Sequence, residues 1–228
     1  MFDLQKKLAS LSNVQGLMTG AQWKNQAAEE IKTVQSGGYE IDACVPGEVI
    51  TSEEDEFYLV RTDFPIDTQH GDLTLADGLK VEGRHISLSA NDEELADFDP
   101  RTAVFVDTET TGLMGGTGTV AFLIGVGYFV DEFFRLDQCF MRDYDDEEGM
   151  LNYLDDLFKK ADTIVSFNGK SFDLPLMRTR FITNRIPYRL EGKTHFDLVH
   201  ASRRFWKQRL RDCSLGNIEK EIMGIHRH

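Results

Sequence analysis

The chain has 228 residues, 41% of them hydrophobic, which is enough for one well-buried domain with additional material. Its three cysteines lack CxxC spacing and no apolar run is long enough to cross a bilayer, which argues against a disulfide scaffold, a thiolate zinc site and a membrane protein, and predicts a cytoplasmic location. The formal charge of −14 argues against a uniformly basic surface, but residues 168–228 contain 13 Lys and Arg residues against 6 Asp and Glu residues. This downstream excess supports a polyanionic partner, and it equally fits solvated helix faces.

Residues 1–99 are assigned to an N-terminal extension with short helices and a β-hairpin. Residues 2–11 and 22–34 have the apolar spacing of short amphipathic helices. Between residues 48 and 65, two strand-like runs flank an acidic turn, which predicts the hairpin. No residue of this extension indicates a chemical role.

The character of the sequence changes at Asp99-Pro100, so residues 100–228 are assigned to a second region. An apolar strand at residues 103–106 runs into Asp107, and two further strand candidates follow at 119–129 and 133–141. Because only a short turn joins the last two, we predict three antiparallel strands.

Helices and strands alternate in the rest of this region. An amphipathic helix follows the acidic residues 145–148, with Leu151, Leu154, Leu157 and Phe158 on one face. A buried strand is predicted at 163–167. Asp173 opens the next helix, a short strand at 195–197 precedes a third helix, and residues 214–223 form a fourth. This order of elements predicts a mixed α/β architecture, in which three antiparallel strands precede alternating helices and strands.

Asp107 and Glu109 form a DxE pair at the end of an apolar strand. Alternate residues of a strand point to the same side of a sheet, so both carboxylates share one face. Two carboxylates held close together repel each other, and a divalent cation would relieve that repulsion. An exposed strand end that faces water is the alternative interpretation of the bare pair.

Asp173 is the second candidate, because it follows a buried strand where a sheet edge presents groups to a ligand. Helix capping would also explain an Asp at this position. Capping leaves the preceding residues 168–172 unexplained, however. Asp197 stands at a similar junction before a helix, and there we favour a cap.

Three segments carry a resemblance to a known family. VFVDTETTGL, SFNGKSFDLPLMRTRF and HFDLVHASRRFW resemble, in this order, the first motifs and the following helix of DEDD-type (DnaQ-like) 3′-to-5′ exonucleases. GLMGGTGTVAFLIGVGYF and NGKSFDLPL are similar to the bacterial YprB-like family of ribonuclease H-like predicted exonucleases. The resemblance covers residues 99–228, and it implies a ribonuclease H-like fold with residues 100–228 as the exonuclease core.

The resemblance also implies roles for individual residues. Asp107, Glu109 and Asp173 would be the catalytic carboxylates and would bind two Mg²⁺ or Mn²⁺ ions. The implied reaction is hydrolysis of phosphodiester bonds in DNA or RNA from a free 3′ end. The implied substrate contacts are Thr108, Thr110, Thr111 and Asn168. We further hypothesise that Lys170 lies close to a phosphate and that Phe167 or Phe172 packs near the terminal nucleotide. Solvation of Lys170 and core packing of Phe172 are equally good explanations of those two residues.

The family pattern needs a fourth aspartate, preceded by Tyr or His, on a later helix. The sequence contains no such residue before His228, so we expect it beyond that position. Its absence keeps a second hypothesis open: a catalytically impaired ribonuclease H-like module that binds nucleic acid or a protein partner. A nucleotidyl-transfer or transposase-like enzyme is a third hypothesis, and it predicts less similarity around NGKSFDLPL.

Overall fold

The structure, a computed structural model, describes residues 41–52, 55–112 and 119–226, so the helices predicted at 2–11 and 22–34 lie outside the described residues. The strands are β1 (Glu48–Thr51), β2 (Glu56–Pro65), β3 (Gln69–His70), β4 (Leu73–Thr74), β5 (Ala103–Thr110), β6 (Ala121–Val130), β7 (Phe133–Phe140), β8 (Thr163–Ser166) and β9 (Thr194–Asp197). The helices are α1 (Ile41–Cys44), α2 (Leu75–Gly78), α3 (Gly83–Ala90), α4 (Asp146–Lys160), α5 (Asp173–Thr183), α6 (Leu198–Trp206) and α7 (Leu215–Ile222), with 3₁₀ turns at Glu93–Leu95 and Pro100–Thr102. In these ranges, no helix has the length and apolar character needed to cross a membrane.

Seven of the described strands form one mixed sheet in the order β1-β2-β7-β6-β5-β8-β9. Strands β5, β6 and β7 pair antiparallel, whereas β8 joins β5 and β9 joins β8 in parallel. The predicted mixed α/β architecture, with three antiparallel strands followed by alternating helices and strands, is therefore confirmed. Because β5, β8 and β9 run in the same direction, their carboxyl ends meet at one edge of the sheet, which we call the carboxyl edge.

The hairpin predicted at residues 48–65 is confirmed by β1 and β2, which pair antiparallel with Thr51 opposite Glu56. Strand β2 also pairs with β7 over eight residue pairs, from Tyr58 opposite Phe140 to Pro65 opposite Phe133. Backbone pairing thus crosses the boundary predicted at residues 99–100. The hairpin contributes directly to the sheet that contains the downstream strands.

The sheet buries apolar side chains on both of its faces. The larger core contains Val104 from β5, Leu151 from α4 and Phe181 from α5. The smaller core contains Ala103 from β5 and Ala201 from α6. Strand alternation explains this division, because neighbouring residues of β5 point to opposite faces.

Helix α4 confirms the amphipathic helix predicted after residues 145–148. Its apolar positions Leu151, Leu154 and Phe158 have no exposed surface. Acidic residues occupy its first turn and two lysines its last turn, an arrangement that the helix dipole favours. Leu151, Leu154 and Phe158 are three of the four side chains predicted to share one face, and the fourth, Leu157, is half-buried and packs against the same core.

A buried ion pair connects the hairpin to the middle of the sheet. Asp137 on β7 has no exposed surface, and its carboxylate accepts two hydrogen bonds from Arg61 at 2.7 and 3.0 Å. The hydroxyls of Tyr128 and Tyr153 donate to the same carboxylate at 2.9 and 2.6 Å. Burial, followed by the negative charge of Asp137, raises the pKa of Tyr128 to about 12, which keeps its donor proton in place. Four donors therefore satisfy this carboxylate in the interior.

Candidate functional site

Asp107 and Glu109 lie near the carboxyl end of β5, and both residues are exposed. Strand β5 continues beyond its last pair with β8, Phe105 opposite Val165, so among the described strands this part of β5 has no partner on its β8 side. Strand alternation places the two acidic residues on the face of the smaller core and Thr108 on the opposite face.

Helix α5 brings Asp173 to the same end of β5. Asp173 is buried, with 8% of its surface exposed, and its Oδ1 accepts hydrogen bonds from the Thr108 backbone N–H at 3.1 Å and the Thr108 hydroxyl at 2.5 Å. The N-cap of α5 is Phe172, so Asp173 is not the capping residue. Its carboxylate instead bonds the residue that lies between Asp107 and Glu109.

The carboxylates of Asp107, Glu109 and Asp173 suit a divalent metal ion chemically, although they are not arranged as a metal-binding site. Carboxylate oxygens are the ligands that Mg²⁺ and Mn²⁺ prefer. Across the described ranges, however, no group of three or more His, Cys, Asp or Glu residues is placed to hold a metal ion. The Oδ1 atom of Asp173 already accepts two hydrogen bonds from Thr108. Asp107 and Glu109 therefore fit a divalent ion by their chemistry. Asp173 would bind the same ion through its Oδ2 atom, or through Oδ1 after the hydrogen bonds to Thr108 break.

Asp197 holds the loop that follows β8. Its carboxylate accepts hydrogen bonds from the backbone N–H groups of Asn168 at 2.7 Å and Lys170 at 3.0 Å. It also caps α6 through the Val199 N–H at 3.1 Å, so the predicted cap is confirmed. Sequence reasoning missed the contact with the loop, because nothing local links Asp197 to residues nearly 30 positions upstream. Asn168 has a φ of 69°, a left-handed conformation that asparagine adopts more readily than most residues.

Gly169 allows this loop to pass close to Asp173. A Cβ atom at position 169 would lie 2.5 Å from the Ser166 Oγ and 3.3 Å from the Asp173 Oδ2. The Ser166 Oγ accepts the Gly169 N–H at 3.2 Å and lies 2.8 Å from the Nε2 of His195. Any side chain at position 169 would therefore displace the loop from the carboxyl edge.

His195 lies beside this loop in its neutral form. Burial is the main cause that lowers the pKa of His195 from 6.5 to about 4, and the positive charges of Lys170 and His200 add to it while Asp197 opposes them. Protonation therefore favours the unfolded chain, where the pKa stays near its ordinary value. The stabilisation is complete above about pH 6.5 and is lost as the pH falls toward the folded pKa.

We expect the wild-type chain to lose about 1 kcal/mol more stability between pH 7.5 and 5.5 than His195→Gln does, after allowance for the partial exposure of the ring. Glutamine does not titrate in this range, and it can still bond Ser166. The measurement is urea unfolding at both pH values. His70→Gln changes an exposed histidine on β3, outside the sheet that contains His195, and serves as the control. Equal losses in the wild type and His195→Gln would contradict the prediction.

The predicted contact residues after β5 are bonded within the chain. The Thr110 hydroxyl donates to the Gly112 carbonyl at 2.8 Å. The Thr111 hydroxyl accepts the Val120 N–H at 3.2 Å and donates to its carbonyl at 3.4 Å. Residues 113–118 between them lie outside the described part of the chain. These bonds fix the threonines near the carboxyl edge.

The other predicted contact residues differ in their exposure. Lys170 and Phe172 are exposed, and 62% of the Phe172 surface faces solvent. Asn168 is half-buried and lines a cavity of about 510 Å³ beside the loop after β8. Phe167, Arg203 of α6 and residues 212–215 also line this cavity. Because α6 packs in the smaller core, the cavity lies on the face that bears Asp107 and Glu109.

Comparison with known proteins identifies the family. The sequence profile of the RNase_H superfamily matches residues 104–228, more than half of the chain. The chain belongs to the RNase_H superfamily. It is also similar to Uncharacterized protein YprB of Bacillus subtilis (strain 168), with 33% identity over 184 residues that cover 76% of this chain and 43% of that protein. The chain thus spans less than half the length of this relative.

Membership of the RNase_H superfamily confirms the fold expected from the resemblance. The matched residues 104–228 begin inside β5 and include β6 to β9, so they contain most of the central sheet. They also contain Asp107, Glu109 and Asp173. The similarity to YprB agrees with the YprB-like resemblance of the glycine-rich and NGKSFDLPL segments.

Proposed function

We propose that this RNase_H superfamily chain is a metal-dependent nuclease that removes nucleotides from the 3′ end of DNA or RNA in the cytoplasm. The observation that carries the proposal is the pair of hydrogen bonds from Thr108 to Asp173. They connect residues 65 positions apart and bring a buried acidic residue to the strand end that bears Asp107 and Glu109. The N-cap of α5 is Phe172, so helix capping does not explain Asp173, and its position beside Thr108 supports a site in which it joins the two carboxylates.

Phosphodiester hydrolysis requires an activated water molecule and stabilisation of the leaving oxygen, and a pair of divalent ions supplies both. In this proposal, Asp107, Glu109 and Asp173 would hold two Mg²⁺ or Mn²⁺ ions. The protein also orients the substrate. Asp197 fixes the backbone of Asn168 and Lys170 through hydrogen bonds at 2.7 and 3.0 Å, which would help these side chains to orient the terminal nucleotide.

The test follows 5′-labelled single strands of DNA and RNA incubated with the 228-residue chain and Mg²⁺, Mn²⁺ or EDTA. We expect metal-dependent shortening from the 3′ end, and we expect a phosphorothioate at the last linkage to slow it. Asp107→Ala should lower the rate at least about 100-fold, because it removes a metal ligand. Its free energy of unfolding should stay within about 1 kcal/mol of the wild type, because the repulsion from Glu109 is relieved.

Asp97→Ala is the matched control, because it removes another exposed carboxylate, between the two 3₁₀ turns. This variant should degrade both nucleic acids at the wild-type rate. A wild-type chain that degrades neither with either metal would refute the nuclease proposal. Internal cleavage of strands with blocked ends would refute the 3′-to-5′ direction alone.

A module that binds nucleic acid without turnover is the second candidate function. It is favoured by the absence, among the described residues, of a group of three ligands placed for a metal ion. Binding of labelled strands without any shortening in Mg²⁺ or Mn²⁺ would support this alternative. Shortening that Asp107→Ala abolishes would exclude it.

A further inference from the structure

A basic segment, residues 203–211, begins in the second half of α6 and continues beyond the end of this helix. It contains five basic residues and no acidic residue in nine positions, although the whole chain has a formal charge of −14. Elsewhere, arginines pair with carboxylates, as Arg61, Arg135 and Arg142 do. Within the described residues, no member of the basic segment forms an ion pair. This segment is therefore a local excess of positive charge, in which the carboxylate of the neighbouring Asp212 offsets only part of the charge of Arg211.

Structural roles explain only part of the basic segment. The Arg204 guanidinium lies 3.5 Å from the carbonyl oxygens of Leu88 and Ala90, so it contacts α3. The nearest acidic residue in sequence, Asp212, accepts the backbone N–H and the hydroxyl of Ser214 at 3.0 and 2.6 Å. Its carboxylate therefore caps the approach to α7. Four other basic residues in the segment are exposed: Arg203, Lys207, Arg209 and Arg211.

Aromatic rings accompany these charges. Phe205 is 52% exposed, and its ring centroid lies 5.8 Å from that of Trp206. A phenylalanine with half of its surface in water contributes little to the core. Exposed rings beside cations are the combination that binds single-stranded nucleic acid, since the rings stack on unpaired bases and the cations contact phosphates. A duplex would not offer its bases for such stacking.

The cavity beside the loop after β8 connects the basic segment to the candidate site. Arg203 and Asn168 both line this cavity. Helix α6 packs on the smaller-core face, the face to which strand alternation directs Asp107 and Glu109. A polynucleotide with its end at these carboxylates would therefore pass Asn168 and reach the basic segment without crossing the sheet.

We propose that the basic segment is a binding surface for single-stranded nucleic acid, which it holds while the end of the strand reaches Asp107 and Glu109. The direction of the strand rests on the proposed nuclease function. The binding itself does not, because it depends on the charges of the segment and on Phe205. The substrate class assigned by this surface is the single strand.

The charge test measures fluorescence anisotropy of a labelled single strand in EDTA, where metal-dependent hydrolysis is prevented. The triple variant Lys207→Gln, Arg209→Gln, Arg211→Gln should bind at least about tenfold more weakly in low salt, and the slope of log Kd against log salt should fall by about 2. The control is the triple variant Arg101→Gln, Lys159→Gln, Lys160→Gln. It removes three exposed charges near the amino ends of β5 and β8, opposite the carboxyl edge. It should retain the wild-type slope.

The stacking test uses Phe205→Ala, which should weaken binding about fivefold or more because a base loses its aromatic partner. Phe205→Trp should bind the single strand with about the affinity of the wild type, because it keeps an aromatic ring at this position. Phe133→Ala is the control, because Phe133 is 40% exposed and begins β7 at the opposite edge of the sheet. A duplex of the same sequence should bind more weakly than the single strand.

Several outcomes would overturn the inference: no binding of the single strand by the wild type, equal losses in the two triple variants, equal affinity for duplex and single strand, or no effect of Phe205→Ala. Because binding is measured in EDTA, without hydrolysis, failure of the degradation assay alone would not contradict this inference. Degradation that depends on Asp107, combined with unchanged binding in the basic triple variant, would overturn this inference alone.

Discussion

Replacing Asp173 with asparagine is expected to lower the metal-dependent nuclease activity at least about 100-fold, with little loss of stability. The amide oxygen that Asp173→Asn introduces can still accept the hydrogen bonds from Thr108, which are 3.1 and 2.5 Å long in the wild type. A neutral amide is, however, a weaker ligand for a divalent ion than a carboxylate. Initial rates on labelled strands and urea unfolding of the same preparations measure the two effects.

Two further variants separate a positioning role of Asp173 from a metal-binding role. Asp173→Ala removes the acceptor altogether and should cost about 1–3 kcal/mol, because the partly buried Thr108 donors lose their partner. Thr108→Val keeps the carboxylate and removes only one donor, so it should retain much of the activity. If Asp173→Asn were as active as the wild type, the carboxylate would serve only to hold β5.

Replacing Arg61 with methionine is expected to lower the free energy of unfolding by about 3 kcal/mol. The change removes both Arg61 hydrogen bonds from Asp137, which has no exposed surface. Two tyrosine hydroxyls would then be the remaining side-chain donors to a buried negative charge. Partial exposure of the Arg61 side chain, 35%, keeps the expected loss at the lower end of the range for buried ion pairs. Urea unfolding measures it.

Arg135→Met is the matched control for Arg61→Met. Arg135 also donates two hydrogen bonds to one carboxylate, that of Asp63, at 2.6 and 2.7 Å. Both of these side chains are partly exposed, by 27% and 35%, so water replaces much of the interaction. The expected loss is at most about 1 kcal/mol. Similar losses in the two variants would show that burial of Asp137 adds nothing to the ion pair.

Local sequence patterns predicted most of the described elements. The spacing of Leu151, Leu154 and Phe158 requires a helix with one apolar face, and these three side chains anchor α4. The acidic turn between two strand-like runs required a hairpin, and β1 and β2 form it. Such features depend on neighbours within a few positions, so periodicity and turn chemistry are sufficient to predict them.

Long-range contacts were beyond this kind of prediction. Asp137 resembles the chain's other acidic residues in sequence, and only the pairing of β2 with β7 reveals that it is buried beside Arg61. The hydrogen bonds between Asp173 and Thr108 likewise depend on where α5 begins relative to β5. The motifs indicated which acidic residues lie near the carboxyl edge, but not that Thr108 would donate hydrogen bonds to one oxygen of Asp173.

The pairing of β2 with β7 has a consequence for any shortened version of the protein. A chain that began at residue 100 would leave β7 without a neighbour along eight consecutive residues. Unsatisfied amide and carbonyl groups in such a row are a template for adding a strand from another molecule. Among the described strands, β1 is the border of the sheet on this side, and its four residues leave a much shorter row. Residues 48–65 therefore cover an edge of β7 that would otherwise favour self-association.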